Sequence, residues 1–242
     1  MATEEQVQLL QALAALSPKY ADNDLFKYWV QKEHRCLDKW LHYFPIYEKW
    51  FKDFRDTDLV FVEIGVYNGG SMQMWKEYFG KKAKIIGIDI DERCKQFEED
   101  QVTIEIGSQE DPEFWNAFKQ KYPRVDILLD DGGHTMNQQI FTFQKMFPHI
   151  QDDGVYMCED CHTSYWQGYG GGYRRPDSYI EFTKNLIDVI NAFHSNGALP
   201  PNYFTMNMGG VHFYDSIVVV EKSNRYFPPI GHWFGPKVLE DR

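Results

Sequence analysis

The sequence predicts an α/β protein: a doubly wound, mainly parallel sheet with a C-terminal antiparallel hairpin and an N-terminal helical cap. Three observations carry that prediction. From Asp58 onward, short apolar runs alternate with amphipathic stretches, the pattern of strands joined by crossover helices. Before Asp58 the chain keeps helical spacing and is dense in aromatic residues. Near the C-terminus, two apolar runs flank Gly209-Gly210, as in a hairpin that adds an antiparallel strand to a parallel sheet.

Residues 4–16 place apolar groups at helical intervals, and Ser17-Pro18 ends that helix. Residues 24–54 read as helical, with Pro45 starting or kinking a helix. This divides the chain into a cap, 1–57, and an α/β domain, 58–242. Three placements of the cap stay open: against the sheet, over the active site, or between two subunits. Strands are expected at 59–64, 84–88, 102–106, 125–129 and 155–158. Helices are expected at 71–79, 91–98, 111–120, 135–147 and 177–194. Runs 203–208 and 211–220 are read as the hairpin strands. No internal repeat interrupts the pattern.

The 242 residues suffice for one α/β domain with a small appendage. A formal net charge of −11 argues against nucleic acid or an anionic membrane as the main partner, since phosphate binding is dominated by Lys and Arg. The N-terminus is acidic, unlike a signal peptide. No apolar run approaches the ~20 residues of a membrane helix. Four cysteines, Cys36, Cys94, Cys158 and Cys161, are few for this length and are expected as free thiols in a reducing cytoplasm. Cys158-x-x-Cys161 lacks the second pair that a zinc site needs, so packing is its favoured role. The aromatic cap favours a homo-oligomer, dimer or higher.

The chemistry gathers at two strand ends. Val125-Asp126-Ile127-Leu128-Leu129 runs into Asp130-Asp131-Gly132-Gly133-His134, and Gly154-Val155-Tyr156-Met157-Cys158 runs into Glu159-Asp160. Parallel neighbours would bring these ends to within about 5 Å, in the crevice where open α/β sheets bind ligands. Like charges that close repel unless a cation sits among them. The cluster is therefore a candidate divalent-metal site with a base beside it.

The first strand leads into Glu63-Ile64-Gly65-Val66-Tyr67-Asn68-Gly69-Gly70-Ser71, and the second ends in Gly87-Ile88-Asp89. Glycines let backbone approach a ligand, and an acid after the second strand suits ribose hydroxyls. The spacing is G-x-x-x-G-G, with Tyr67 where a dinucleotide fingerprint needs its second glycine. Glu63 suits a cationic ligand better than a polyanion. S-adenosylmethionine, with a sulfonium and an ammonium and no phosphate, fits these constraints.

Glu63-x-Gly65-x-x-x-Gly69-Gly70-Ser71 with Gly87-x-Asp89 resembles the class I S-adenosylmethionine-dependent methyltransferases. The stretches Asp130-Asp131-Gly132-Gly133-His134 and Glu159-Asp160-Cys161-His162-Thr163-Ser164-Tyr165-Trp166 resemble a narrower group. These are the metal-dependent macrocin- and mycinamicin-type sugar O-methyltransferases, which carry Asp-Asp-Gly-Ser-His and Glu-Asp-Leu-His-Thr-Ser-Tyr-Trp. Gly133 and Cys161 depart from that pattern without removing a candidate ligand. The resemblance implies a Rossmann-like fold, Mg²⁺ on Asp131, Glu159 and Asp160, and His134 as general base. It implies cofactor contacts from Glu63, Gly65, Ser71 and Asp89. Ser108 and Gln109 would face the adenine, and Asn68 and Asp130 join the cofactor candidates.

A sugar hydroxyl is a poor nucleophile while protonated. A divalent ion lowers its pKa, and a histidine can accept its proton near neutral pH. Asp131 and His134 lie three residues apart, close enough to serve one oxygen. His162, Tyr165, Trp166 and Tyr169 are acceptor-site candidates, because aromatic faces stack on sugars or planar rings. The glycine-rich loop 166–175 reads as a mobile lid. The expected activity is O-methylation of a hydroxylated small natural product. The alternatives are a catechol-type methyltransferase acting on a planar acceptor and a cofactor-binding subunit without catalysis.

Overall fold

Alternating side chains along each strand must find cover on both faces of a parallel sheet, and this chain supplies it from both of its parts. In the computed structural model, residues 4, 7, 8, 12, 15, 18–30 and 35–225 are described. The strands are β1 (Val60–Ile64), β2 (Lys84–Asp89), β3 (Val102–Ile106), β4 (Val125–Asp130), β5 (Ile150–Cys158), β6 (Met208–Phe213) and β7 (Val218–Lys222). They form one sheet in the order β3-β2-β1-β4-β5-β7-β6. The first five strands run parallel, and β7 is antiparallel to both β5 and β6.

Among the described residues, the α-helices of five residues or more are α1 (Asp24–Val30), α2 (Phe44–Phe51), α3 (Gly70–Phe79), α4 (Pro112–Lys121), α5 (Met136–Met146), α6 (Tyr179–Ile190) and α7 (Tyr203–Asn207). Phe61, Ile85, Ile127, Leu129 and Met157 face one side, packed by Phe26, Phe44, Tyr47, Phe51, Trp75 and Phe79 from α1, α2 and α3. Val62, Ile64, Ile86, Leu128 and Tyr156 face the other side, packed by Trp115, Phe118, Phe143, Met146, Tyr179 and Leu186 from α4, α5 and α6. The described part of the cap therefore shares the core of the α/β domain and covers one sheet face.

Three local expectations need correction. Residues 24–54 are not one helical run. Residues 36–40 are non-helical, a 3₁₀ turn follows at Leu41–Tyr43, and α2 begins at Phe44 with Pro45 in its first turn, where a missing N–H costs nothing. The 91–98 helix is a 3₁₀ turn, Glu92–Phe97, capped by Asp91, whose side chain accepts from the Arg93 N–H. The segment 203–207 is helix α7, because Asn202 accepts from Phe204 and Thr205 N–H groups and closes a capping box with Thr205. The hairpin then lies in β6 and β7, with Gly209-Gly210 inside β6 at an irregular register and its turn after Phe213. The helix expected at 4–16 lies outside the described residues, apart from single positions.

Trp75 is fully buried, with the Tyr47, Phe51, Phe61 and Phe79 rings at 5.1–5.8 Å between centroids. It links the cap to β1. Trp75→Ala should lower unfolding stability by about 3–5 kcal/mol, read as a lower urea midpoint. A change under about 1 kcal/mol would mean the cap does not share this core.

Candidate functional site

Ile64, Asp130 and Cys158 are register neighbours at the carboxyl ends of β1, β4 and β5. The Asp131 N–H donates to Ile64 O at 3.0 Å and the Glu159 N–H to Asp130 O at 2.9 Å. Two acidic stretches far apart in sequence thus leave the sheet side by side. Strand order reverses at β1, and the cleft opens there. Its volume is about 680 Å³, within the range of small-molecule sites.

One end of the cleft is lined by Gly65, Asn68, Ser71, Asp89, Ser108 and Gln109. Gly65 holds φ +96°, and a Cβ there would sit 2.0 Å from Asp131 O, so only glycine lets the two loops touch. Asp89 organises its surroundings: its carboxylate accepts from Val66 N–H (2.9 Å), Tyr67 N–H (3.0 Å) and Asp91 N–H (3.0 Å). Gln109 Oε1 accepts from Gly133 N–H at 2.9 Å.

Glu63 and Asp130, both read as cofactor contacts, stand behind this wall. Glu63 is fully buried and accepts from Ser71 Oγ at 2.6 Å. Asp130 is buried beneath Gln109, accepting from Gln109 Nε2 at 3.0 Å and from Tyr156 OH at 3.1 Å. Burial pushes its carboxyl up to about 7.

At the other end, Asp131, His134 and Asp160 come together. One ligand atom from each lies within 4.8 Å of the others. His134 Nε2 is 3.9 Å from Asp131 Oδ1 and 3.5 Å from Asp160 Oδ2. Tyr43 OH donates to Asp160 Oδ1 at 2.7 Å. His134 and Asp160 both adopt left-handed backbone, φ 57° and 51°.

Glu159, the third expected metal acid, is engaged elsewhere. It accepts from Tyr47 OH and, at 3.0 Å, from Lys39 Nζ. Lys39 is the cleft residue the sequence did not reveal. Its side chain is 2% exposed, and the ammonium also donates to Asp131 Oδ2 at 2.5 Å and to Glu63 Oε1 at 3.3 Å. The cation expected among the acids is thus supplied in part by the chain itself. Burial opposes the charge, but the Asp131, Glu159 and Glu63 carboxylates outweigh it and hold Lys39 well above its usual range. No local signal marks Lys39; its partners lie 24, 92 and 120 residues away.

The acceptor candidates sit at the rim. His162 stacks on Trp40 with centroids 4.6 Å apart and rings 13° from parallel, and its edge meets Trp166 at 4.5 Å. Trp40 lines the cleft, while Tyr165, Trp166 and Tyr169 do not. The expected lid folds back on itself. Gly171 N–H donates to Trp166 O at 2.9 Å, Gly172 N–H donates to Ser164 O at 2.8 Å, and a Cβ at Gly171 would meet Thr163 O at 2.4 Å.

Residues 62–161 match the family described as a methyltransferase domain. The chain is 34% identical over 206 residues to mycinamicin VI 2''-O-methyltransferase of Micromonospora griseorubida, covering 80% of this chain and 51% of that protein. It is 31% identical over 199 residues to demethylmacrocin O-methyltransferase of Streptomyces fradiae, covering 76% and 50%. The chain spans about half the length of these relatives. The solved structure of the MycE methyltransferase from the mycinamycin pathway, in complex with Mg, SAH and mycinamycin VI, aligns with a TM-score of 0.76 at 28% identity, over 98% of this chain and 66% of that one. With its Rossmann-like sheet, the chain carries a methyltransferase domain and is homologous to the macrocin- and mycinamicin-type sugar O-methyltransferases.

Proposed function

We propose that the protein is an Mg²⁺-dependent O-methyltransferase that moves the methyl group of S-adenosylmethionine to a hydroxyl of a small natural product, most simply a sugar moiety. The observation that carries this reading is that one cleft joins the glycine-lined end at Gly65 and Asp89 to the Asp131–His134–Asp160 group. Support among relatives is that they are named as O-methyltransferases, among them ones named for a rhamnosyl tetracenomycin and an olivosyl-oleandolide.

The residues fit a hard divalent ion. Asp131 Oδ1 and Asp160 Oδ2 are partly exposed and converge, and carboxylate oxygens are the ligands Mg²⁺ prefers. They would hold it, with Glu159 as the third acid of the set. Bound there, such an ion acidifies and orients a ligated hydroxyl. Gly65, Asn68, Ser71, Asp89, Ser108 and Gln109 would bind the cofactor, with Glu63 and Asp130 bracing Ser71 and Gln109 from behind.

His134 is the proposed base. Its Nε2 faces the acid pair, so it can take the hydroxyl proton while the hydroxyl oxygen takes the methyl group. The shelf of Trp40, His162 and Trp166 extends from the cleft and suits an apolar sugar face. Tyr165 and Tyr169 lie further out. Four free thiols accord with a cytoplasmic setting. Among the described residues, no helix is long and apolar enough to cross a membrane. A homo-oligomer is the proposed assembly.

Calorimetric titration tests the binding half: the chelator-treated protein should take up S-adenosylhomocysteine and Mg²⁺. Asp160→Asn should weaken metal binding at least about tenfold and leave the nucleoside affinity unchanged. Absence of nucleoside binding would overturn the reading. His134→Ala should keep both affinities and lose roughly 10²–10⁴ in methyl transfer to a glycosylated polyketide. Full turnover by that variant would remove His134 from the mechanism.

A further inference from the structure

Lys39 stands in the cleft and takes no part in the proposed reaction. A lysine ammonium has three donors and no acceptor. Here the donors meet three carboxylates, Glu63, Asp131 and Glu159, at 3.3, 2.5 and 3.0 Å. Those acids come from the ends of β1, β4 and β5. Among the described residues, no other lysine or arginine pairs with them.

Asp131 is the shared element. Its Oδ2 is held by Lys39, and its Oδ1 faces His134 and Asp160, where the candidate metal ligands converge. A divalent ion drawing on Glu159 would need the Oε2 that the ammonium now occupies, and on Asp131 Oδ1 it would sit across one carboxylate from the ammonium on Oδ2. Two cations that close repel strongly in a buried site. Lys39 also anchors a wall: residues 36–40 line the cleft, Trp40 stacks on His162, and a Cβ at Gly70 would sit 2.3 Å from Cys36 O.

We propose that the Lys39 ammonium is a resident counter-cation that holds the acid cluster together without metal and competes with a divalent ion for Asp131 and Glu159. Metal entry then displaces Lys39 and shifts the 36–40 wall it anchors, coupling metal loading to the shape of the cleft. The inference rests on the metal reading above. Lys39 is a positioning residue in this scheme.

Manganese is the probe, its free concentration followed by electron paramagnetic resonance on the full chain. Lys39→Met should bind Mn²⁺ at least tenfold more tightly than the unaltered protein, and Lys39→Arg, which keeps the charge, should stay close to it. The chelator-treated Lys39→Met protein should melt at lower temperature and recover with Mn²⁺. Should that variant not fold, the unaltered protein decides. Acetylation of Lys39, read by peptide mass spectrometry, should rise on saturation with Mn²⁺. Equal or weaker Mn²⁺ binding by Lys39→Met, or unchanged Lys39 labelling, overturns the competition and leaves the metal site standing. Failure of both proteins to bind Mn²⁺ overturns the metal reading and this inference together.

Discussion

The contact between Lys39 and Glu63, Asp131 and Glu159 is the constraint on which the site depends. Parallel pairing puts the ends of β1, β4 and β5 side by side, so acids placed there are forced together whatever their role. Burial and the nearby Asp131 charge push Glu159 well above the ordinary carboxylate range. A buried pair of this kind adds little net stability over an apolar one, but losing one partner is expensive. Its use is to fix geometry. Tyr47 and Tyr43 from the same N-terminal region donate to Glu159 and Asp160, so the cap and the sheet ends form one hydrogen-bonded unit.

That dependence explains what could be read in the sequence and what could not. The α/β order was legible because each strand is a short apolar run and each crossover is amphipathic. The pairing of Asp131 with Glu159-Asp160 was legible for the same reason: parallel topology converts two strand ends into one edge. Gly209-Gly210 misled because glycine marks both turns and irregular strands, and the capping power of Asn202 competed with the apolar run after it. Lys39 was illegible because the short mixed stretch Cys36-Leu37-Asp38-Lys39-Trp40 has no periodicity, and burying its ammonium makes sense only once three distant strand ends are assembled. The rim is a milder case. The aromatic residues of 162–169 were visible, but their partner Trp40 comes from the cap, so the shelf they form was not.

The backbone adds a second kind of constraint. Gly65, His134 and Asp160 all hold positive φ, and the latter two are not glycine, so each costs of order 1–3 kcal/mol. Such residues persist only where their surroundings over-determine them. Thr163 meets that need: it is 1% exposed, and its hydroxyl lies 2.9 Å from both the His134 and the Asp160 carbonyl oxygens. One hydroxyl proton shared between two carbonyls clasps the loop after β4 to the turn after β5. The strained residues are thereby held against each other, not separately. His134 is fixed from its far side as well, because Thr135 beside it caps α5 through a reciprocal box with Gln138.

These contacts divide the labour in a way the distances make plain. The acids nearest the sheet, Glu63, Asp130 and Glu159, spend their oxygens on Ser71, Gln109, Tyr156, Tyr47 and Lys39 and act as a foundation. Asp131 and Asp160 each keep one oxygen on this inner network, through Lys39 and Tyr43, and turn the other toward His134. An acid anchored by one oxygen is oriented without being neutralised at the other. Polarity therefore increases outward from the buried row to the pair beside His134, which is where a cationic ligand or an ionising hydroxyl gains most from it. The chain has concentrated acids at one edge of the sheet and then engaged all but the two oxygens that face His134.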